Sequence, residues 1–429
     1  MEHKLMHKLI FVVMDGLADR PIAEFGGKTP LEAAETPALD SLASKGSGGM
    51  LRVIEGVAPE SDAAVLALLG YDPHKYYTGR GPLEAVGTGA TFKGGMLALR
   101  CNFATTADGR DILDRRAGRT LTSKEAAALA AAINKKVKLA NANFKFYASV
   151  AHRGVLIIGD GSSKLKKKML SANITNTDPA YEIRNGIPHA LSSFEGKVKR
   201  SVPLDNTTAA ARAAELVNEF TAKAFGVMKN HPVNIRRSKK GLLAANTIIC
   251  RDAGNRLPPL YSLSKRYGRR WALLADMPLE IGIGELAGMS IVHLPLPTFT
   301  AADYKVRLEK TLAALKKFDC LYIHIKGPDL FGHDGAYNGK KKCIEEADKY
   351  FFSPLLQKID LAKTVVVVTA DHATPCVMKG HSDDPVPFVI SGGNVKADFV
   401  ERFGESYCRN GGFGTIKGSE FMGKVISLL

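Results

Sequence analysis

The sequence predicts an α/β fold: a core sheet flanked by helices, with a smaller α+β lobe inserted into it. Three observations carry that expectation. Residues 9–14, 321–325 and 364–369 are short apolar, β-branched runs, the pattern of strands buried on both faces. Each run leads into an acid: Asp15 after the first, Asp329 in the loop after the second, Asp371 just past the third. The stretch between roughly 94 and 268 contains no such strand-then-acid unit and differs in flavour, being rich in alanine and lysine.

In chain order, residues 9–14 run straight into Asp15-Gly16, which presents a carboxylate at a strand end. Ser61 follows in Pro59-Glu60-Ser61-Asp62, immediately before an apolar run, where it suits a helix N-cap. Within the inserted stretch, Thr122-x-x-Glu125 is a capping box that opens a helix over 123–134. Residues 303–318 repeat Leu308, Leu312 and Leu315 at helical spacing, as a crossover helix packing on a sheet does. The next strand leads into Lys326-Gly327-Pro328-Asp329, and the last into Ala370-Asp371-His372. The organisation is therefore a core domain over 1–93 and 269–429 and an inserted lobe over 94–268, with no internal repeat.

The balance of 59 Lys+Arg against 43 Asp+Glu gives a formal charge of +16 and a field that attracts anions, whether nucleic acid, membrane or phosphorylated metabolites. The basic clusters at 164–168 and 236–240 carry no interleaved aromatics, which reads as a solvated basic face and argues against nucleic acid. Six cysteines without a CxxC pair argue against a disulfide framework or thiolate zinc site, and fit a reducing cytoplasm. The apolar run at 9–14 is too short to span a membrane.

Asp15, Asp329-x-x-x-His333, Asp371-His372 and His381 are the oxygen and imidazole donors that divalent zinc, manganese or magnesium accept. Singly, each such match arises often by accident, and a lone histidine is more commonly structural. Jointly, they sit where ligands bind in open α/β sheets, outside the carboxyl ends of the strands. Ser61 reads as a cap, as a nucleophile beside metal ions at a helix N-terminus, or as both. A non-enzymatic anion-binding protein that kept the fold is the third reading of the charge.

Ordered motifs then run nearly the whole length: Asp15-Gly16 with Ala18-Asp19-Arg20-Pro21, Thr29-Pro30-Leu31-Glu32-Ala33-Ala34, Ser61-Asp62, Leu69-Gly70-Tyr71-Asp72-Pro73 and Tyr76-Tyr77-Thr78-Gly79-Arg80-Gly81-Pro82. Arg100-Cys101-Asn102-Phe103-Ala104-Thr105, Asp114-Arg115-Arg116-Ala117-Gly118-Arg119, His231-Pro232-Val233-Asn234, Gly332-His333-Asp334-Gly335, Asp371-His372, His381-Ser382 and Asp384-Pro385-Val386-Pro387 continue the series. Together these resemble archaeal-type 2,3-bisphosphoglycerate-independent phosphoglycerate mutases, of the alkaline phosphatase superfamily. The resemblance implies an alkaline-phosphatase-like core and two divalent metal ions (Mn, Mg, Co or Zn). It implies that Asp329, His333 and His381 hold one ion and Asp15, Ser61, Asp371 and His372 the other. Ser61 is then the nucleophile. Arg115, Arg116 and Arg251 in the lobe, with Lys326, are implied to grip a small phosphorylated acid. The implied activity, in glycolysis and gluconeogenesis, interconverts 3- and 2-phosphoglycerate through a phosphoserine. The alternative on the same site is a metal-dependent phosphohydrolase or a mutase for another small phosphorylated metabolite.

Three positions depart from that family's pattern. Ile281 stands where a lysine is usual before Gly282, Phe299 follows Thr298 where glycine is common, and Asp252 stands where glycine is usual after Arg251. An empty lysine position beside a phosphate removes a cation from where charge develops.

Overall fold

The structure, a computed structural model, describes residues 7–160, 169–184, 186–191 and 193–429. The basic cluster at 164–168 lies outside the described residues. The chain divides into two units: Met1–Tyr77 with Leu260–Asp276 and Ile283–Leu429, and Thr78–Pro259 with Met277–Gly282.

The first unit is built on an eight-stranded sheet in the order Ser290–His293, Trp271–Ala275, Cys320–Ile325, Lys8–Met14, Thr364–Thr369, Val386–Ser391, Ser47–Arg52, Thr415–Lys417. Lys8–Met14 lies between Cys320–Ile325 and Thr364–Thr369 and is parallel to both. The three strands expected to deliver acids are therefore neighbours, with their carboxyl ends on one edge. Leu9 to Met14 are all fully buried, as are Val365 to Val368, because helices cover both faces. Each such side chain contributes about 1.5–3 kcal/mol by leaving water. Among the covering helices is Ala301–Lys317, capped by Thr300 through the Asp303 N–H, with Leu308 buried.

The far side of this sheet is mixed, not parallel. Val386–Ser391 pairs antiparallel with both Thr364–Thr369 and Ser47–Arg52. The physical reason lies in the connection: 370–385 is loop and turn without a helix, and only a crossover connection, usually helical, returns a strand in parallel.

The second unit is α+β. Leu97–Thr106 pairs antiparallel with Ile112–Asp114, Arg153–Asp160 and Thr247–Gly254, and Ala142–Ala148 adds to Arg153–Asp160. Helices Ser123–Lys136 and Thr208–Met228 bury Leu129, Ile133, Val217 and Phe220 against strand residues Phe103 and Phe146. The Thr122/Glu125 capping box forms as the sequence predicts.

The basic run at 236–240 is a solvated face except at one residue. Arg237, in helix Pro232–Lys239, is 1% exposed. Its guanidinium donates to the carbonyls of Leu243 (2.9 Å) and Thr120 (3.1 Å), to Thr120 Oγ1 (2.7 Å) and to Glu125 (3.0 Å). A planar five-donor fork satisfies loop carbonyls that no backbone partner reaches, which a point-charge lysine does less well. All six cysteines are free and buried, Cys101 and Cys250 facing each other across paired strands. Among the described residues no helix is long and apolar enough to cross a membrane.

Candidate metal centre

Each sheet strand that ends in an acid hands it to the same place. Asp15 follows Lys8–Met14 and is tied down by its N–H to the Ile325 carbonyl (2.9 Å). Its own carbonyl accepts from Asp329 N–H (2.9 Å), so the second loop is hung from the first. Asp329 and His333 lie one helical turn apart in Pro328–Asp334, on one face. Asp371 and His372 leave Thr364–Thr369, and Asp371 Oδ1 accepts from the N–H groups of Gly16 (3.0 Å) and His372 (3.1 Å). Two ligand groups result: Asp329, His333 and His381, and Asp15, Asp371 and His372, each with its ligand atoms within 4.8 Å of one another. They adjoin, since the His372 and His381 rings stack at 3.8 Å between centroids.

All three imidazoles turn the same nitrogen inward. Nδ1 of His333 faces the Lys379 carbonyl (3.1 Å), Nδ1 of His381 the Pro59 carbonyl (2.8 Å) and Nδ1 of His372 the Thr374 hydroxyl (3.1 Å). A carbonyl accepts only, so Nδ1 of His333 and His381 carries the proton and Nε2 keeps its lone pair. Those Nε2 atoms lie 3.5 and 3.3 Å from Asp329 Oδ1, and Nε2 of His372 lies 3.3 Å from Asp15 Oδ1 and 3.4 Å from Asp371 Oδ2. Ligands about 2.0–2.1 Å from a tetrahedral ion are about 3.4 Å apart, the spacing seen here. Asp15 Oδ1 and Asp371 Oδ2 are buried and make no hydrogen bond, as oxygens kept for a cation do. The donor set therefore fits divalent ions in both groups.

The electrostatics fit as well. Burial works to raise the Asp15 carboxyl, but Lys326, 2.8 Å away, with His372 and His324 outweighs it and holds Asp15 far below the usual carboxylate range. Burial likewise opposes ionisation of Asp329, and His333, His381 and His372 outweigh it, leaving it well below the usual range. Asp371 goes the other way: burial, then the neighbouring Asp15 charge, raise it.

Ser61 begins helix Ser61–Leu68 rather than capping it; Glu60 occupies the cap position. The hydroxyl is instead turned to Nε2 of His372, at 3.3 Å. Lys326, expected at the substrate, lies on Asp15.

Arg115, Arg116 and Arg251 belong to the second unit. Arg115 binds Asp178 with two parallel bonds (2.8 and 2.7 Å). Tyr181 takes the guanidinium of Arg251 at 3.7 Å from its ring centroid and that of Arg115 at 5.1 Å, and Arg251 also pairs with Asp252. Arg116 is felt at His152, which burial and then Arg153, Arg100, Arg116 and Arg119 push down to about 2. Arg100, paired with Glu84, is pushed down to about 9 by burial and by Arg80, Arg251 and Arg153, although Glu84 works the other way. The second unit thus gathers a dense arginine cluster.

A family model described as 2,3-bisphosphoglycerate-independent phosphoglycerate mutase matches residues 43–234. The protein of that name from Aeropyrum pernix is 42% identical over 98% of this chain and 99% of its own length. The one from Methanopyrus kandleri is 41% identical over 96% of this chain and 94% of its own. The chain belongs to the 2,3-bisphosphoglycerate-independent phosphoglycerate mutase family. Among solved structures, the cofactor-independent phosphoglycerate mutase from Thermoplasma acidophilum superposes with a TM-score of 0.62 at 31% identity, covering 99% of this chain and 100% of that one. A Pyrococcus horikoshii protein superposes with a TM-score of 0.78 at 29% identity, covering 99% and 97%.

Two of the three departures from the mutase pattern have a backbone explanation. Asp252 has φ 53° and Phe299 φ 56°, the left-handed region that favours glycine. A glycine takes that conformation without a Cβ penalty; Phe299 carries strain there of about 1–2 kcal/mol, and Asp252, a short polar residue, less. Ile281 differs: it is buried in helix Pro278–Leu286, and its backbone conformation gives no such reason.

Several residues at these sites escaped the sequence reading. His324, fully buried in Cys320–Ile325, places Nε2 4.0 Å from Asp15 and 3.9 Å from Asp371. An imidazole inside an otherwise apolar strand was the available signal. His152, Arg153 and Glu84 were missed as well, and nothing local in the sequence marks them. Thr374 is a fourth such residue.

Proposed function

We propose that this chain interconverts 3-phosphoglycerate and 2-phosphoglycerate through a phosphoserine at Ser61, in glycolysis and gluconeogenesis. Two divalent ions are held, one by Asp329, His333 and His381, the other by Asp15, Ser61, Asp371 and His372. The observation that carries this reading is Ser61 Oγ standing 3.3 Å from His372 Nε2, where the two ligand groups adjoin. Bound ions supply Lewis acidity that lowers the pKa of a hydroxyl and neutralises charge on the phosphoryl oxygens. Ser61 Oγ forms a bond to phosphorus as the bond from phosphorus to the 3-hydroxyl oxygen breaks, and the serine proton ends on that oxygen. The 2-hydroxyl oxygen then bonds to phosphorus as the bond from phosphorus to Ser61 Oγ breaks, and the 2-hydroxyl proton passes to Ser61 Oγ. The first turn of helix Ser61–Leu68 directs backbone N–H groups toward the anion. Arg115, Arg116 and Arg251 hold the acid, and Lys326, paired with Asp15, adds positive charge beside it; guanidinium forks pair with carboxylate and phosphate, and stacking on Tyr181 pre-orients Arg251. Retention of glycerate and exclusion of water keep the phosphoserine from hydrolysis. Six buried thiols suit a reducing cytoplasm.

A coupled assay of both phosphoglycerates, on chelator-stripped protein refilled with manganese, magnesium, cobalt or zinc, tests this. Turnover is expected only with metal, and Ser61→Ala is expected to lower kcat by at least about 1000-fold. Wild-type turnover by Ser61→Ala would sink the proposal. Ile281 favours a second reading, a phosphohydrolase or a mutase for another metabolite. Inorganic phosphate release without isomerisation in the same assay would establish it.

A further inference from the structure

Thr374 is fully buried and belongs to neither ligand group, yet its hydroxyl touches both. Oγ1 lies 2.8 Å from Asp329 Oδ1 and 3.1 Å from His372 Nδ1. A hydroxyl has one proton to give, and a carboxylate can only accept. The proton therefore goes to Asp329, and the hydroxyl must accept from His372. That assigns the imidazole proton to Nδ1 and leaves Nε2 with the lone pair, facing Asp15 Oδ1 and Asp371 Oδ2. His333 and His381 have their tautomers set by backbone carbonyls. His372 depends for this on a side-chain hydroxyl, and that hydroxyl is anchored to Asp329 of the other group.

The fold around Thr374 is shaped to admit it. Gly16 has φ +61°, and a Cβ there would meet Thr374 Oγ1 at 2.5 Å and Asp329 Cβ at 2.7 Å. A Cβ on Gly332 would meet the Thr374 carbonyl at 2.4 Å and its Cγ2 at 2.8 Å. Lys340, also fully buried, donates to the Thr374 carbonyl (3.0 Å), fixing the backbone from which the hydroxyl projects. Two side-chain-free positions and one buried ammonium thus hold this hydroxyl between the groups.

We propose that Thr374 is a positioning residue that couples the two metal sites, orienting Nε2 of His372 toward one ion and Oδ1 of Asp329 toward the other through a single hydroxyl. The inference rests on the two-ion reading above. Filling one site orders the shared hydroxyl and so favours filling the second. Losing the hydroxyl weakens both sites together.

The test is titration of chelator-stripped protein with manganese, followed calorimetrically, for wild type, Thr374→Val and Thr374→Ser. Valine keeps the shape and removes the hydroxyl; serine keeps the hydroxyl and removes the methyl. Wild type is expected to take up two ions, Thr374→Val to bind both about 10–100-fold more weakly, and Thr374→Ser to bind them as wild type does. Nitrogen-15 spectra of labelled histidines in the metal-free protein are expected to show the Nδ1–H form of His372 in wild type and Thr374→Ser, and a mixture of tautomers in Thr374→Val. Two ions bound with unchanged affinity by Thr374→Val would overturn the inference alone. Serine behaving like valine would overturn it too, since packing and not the hydroxyl would then be the cause. Fewer than two ions on wild type would instead overturn the two-ion reading, and the coupling with it.

Discussion

Glu405 is buried between Thr29, whose Oγ1 donates to it at 2.6 Å, and the backbone of Asp19, whose N–H donates at 3.0 Å. Burial, with the nearby Glu32 charge adding to it, pushes its carboxyl up to about 7. The folded pKa lies above the ordinary glutamate value, so the folded state favours the neutral acid. The group's unfavourable effect is absent below about pH 4.5, grows as pH rises toward 7, and is constant above that. At 1.36 kcal/mol per pK unit it reaches on the order of 3 kcal/mol. Glu405→Gln should therefore raise the melting temperature at pH 8 and change it little at pH 4.5, in melts across that range; a pH-independent difference would refute the assignment. At this scale the sequence marked the acids and imidazoles that the structure gathers into two groups, because an acid directly after a buried strand has few structural uses. Of the two compatible readings of Ser61, the cap does not hold, since Glu60 and Ser61 both precede the apolar run and the cap position falls to Glu60. Thr374 stayed hidden because its hydroxyl joins His372, two residues away, to Asp329, forty-five residues away, and His324 because its partners Asp15 and Asp371 follow other strands.

Between elements, Lys340 of helix Tyr337–Ala347 staples two loops. Its ammonium donates to Ala18 O (3.1 Å) after the first strand, to Thr374 O (3.0 Å) after Thr364–Thr369, and to Asp19 Oδ2 (2.8 Å), with both Lys340 and Asp19 side chains fully buried. Asp19 in turn accepts from Cys376 N–H at 3.0 Å. Removing one partner of such a pair strands a buried charge, so Lys340→Met is expected to lose about 3–5 kcal/mol in chemical denaturation. Lys340→Met with Asp19→Asn should lose less than the sum of the two single changes, because the stranded charge is gone. Strict additivity would show that the two groups act independently. The strand-then-acid grammar made the centre of the sheet readable, since parallel strands buried on both faces are apolar throughout. The antiparallel return of Val386–Ser391 was not readable, because a helix-free connection carrying site residues looks like any loop until its ends are located.

Across the whole molecule, the arginine cluster and the three strand-end aspartates fall in different units. The arginines that crowd His152 and Arg100 belong to the second unit, whereas Asp15, Asp329 and Asp371 all belong to the first. Folding the first unit brings these carboxylates together: Asp329 works to raise Asp15, and Asp15 works to raise Asp371. A divalent ion that binds only this folded arrangement stabilises it by about 2.7 kcal/mol per site when present at 100 times its dissociation constant. The stabilisation should appear where the ligands are. Hydrogen exchange with and without manganese is expected to show metal-dependent protection in Lys8–Met14, Cys320–Ile325 and Thr364–Thr369, and none in Leu97–Thr106 or Thr247–Gly254. Because ligands bind deprotonated and the Asp371 carboxyl is raised, protons compete at a higher pH than for an ordinary aspartate. The manganese-dependent protection should therefore shrink as pH falls, before an ordinary carboxylate would begin to protonate. Equal protection in both units would mean that the ion acts on global stability through ligands other than these six.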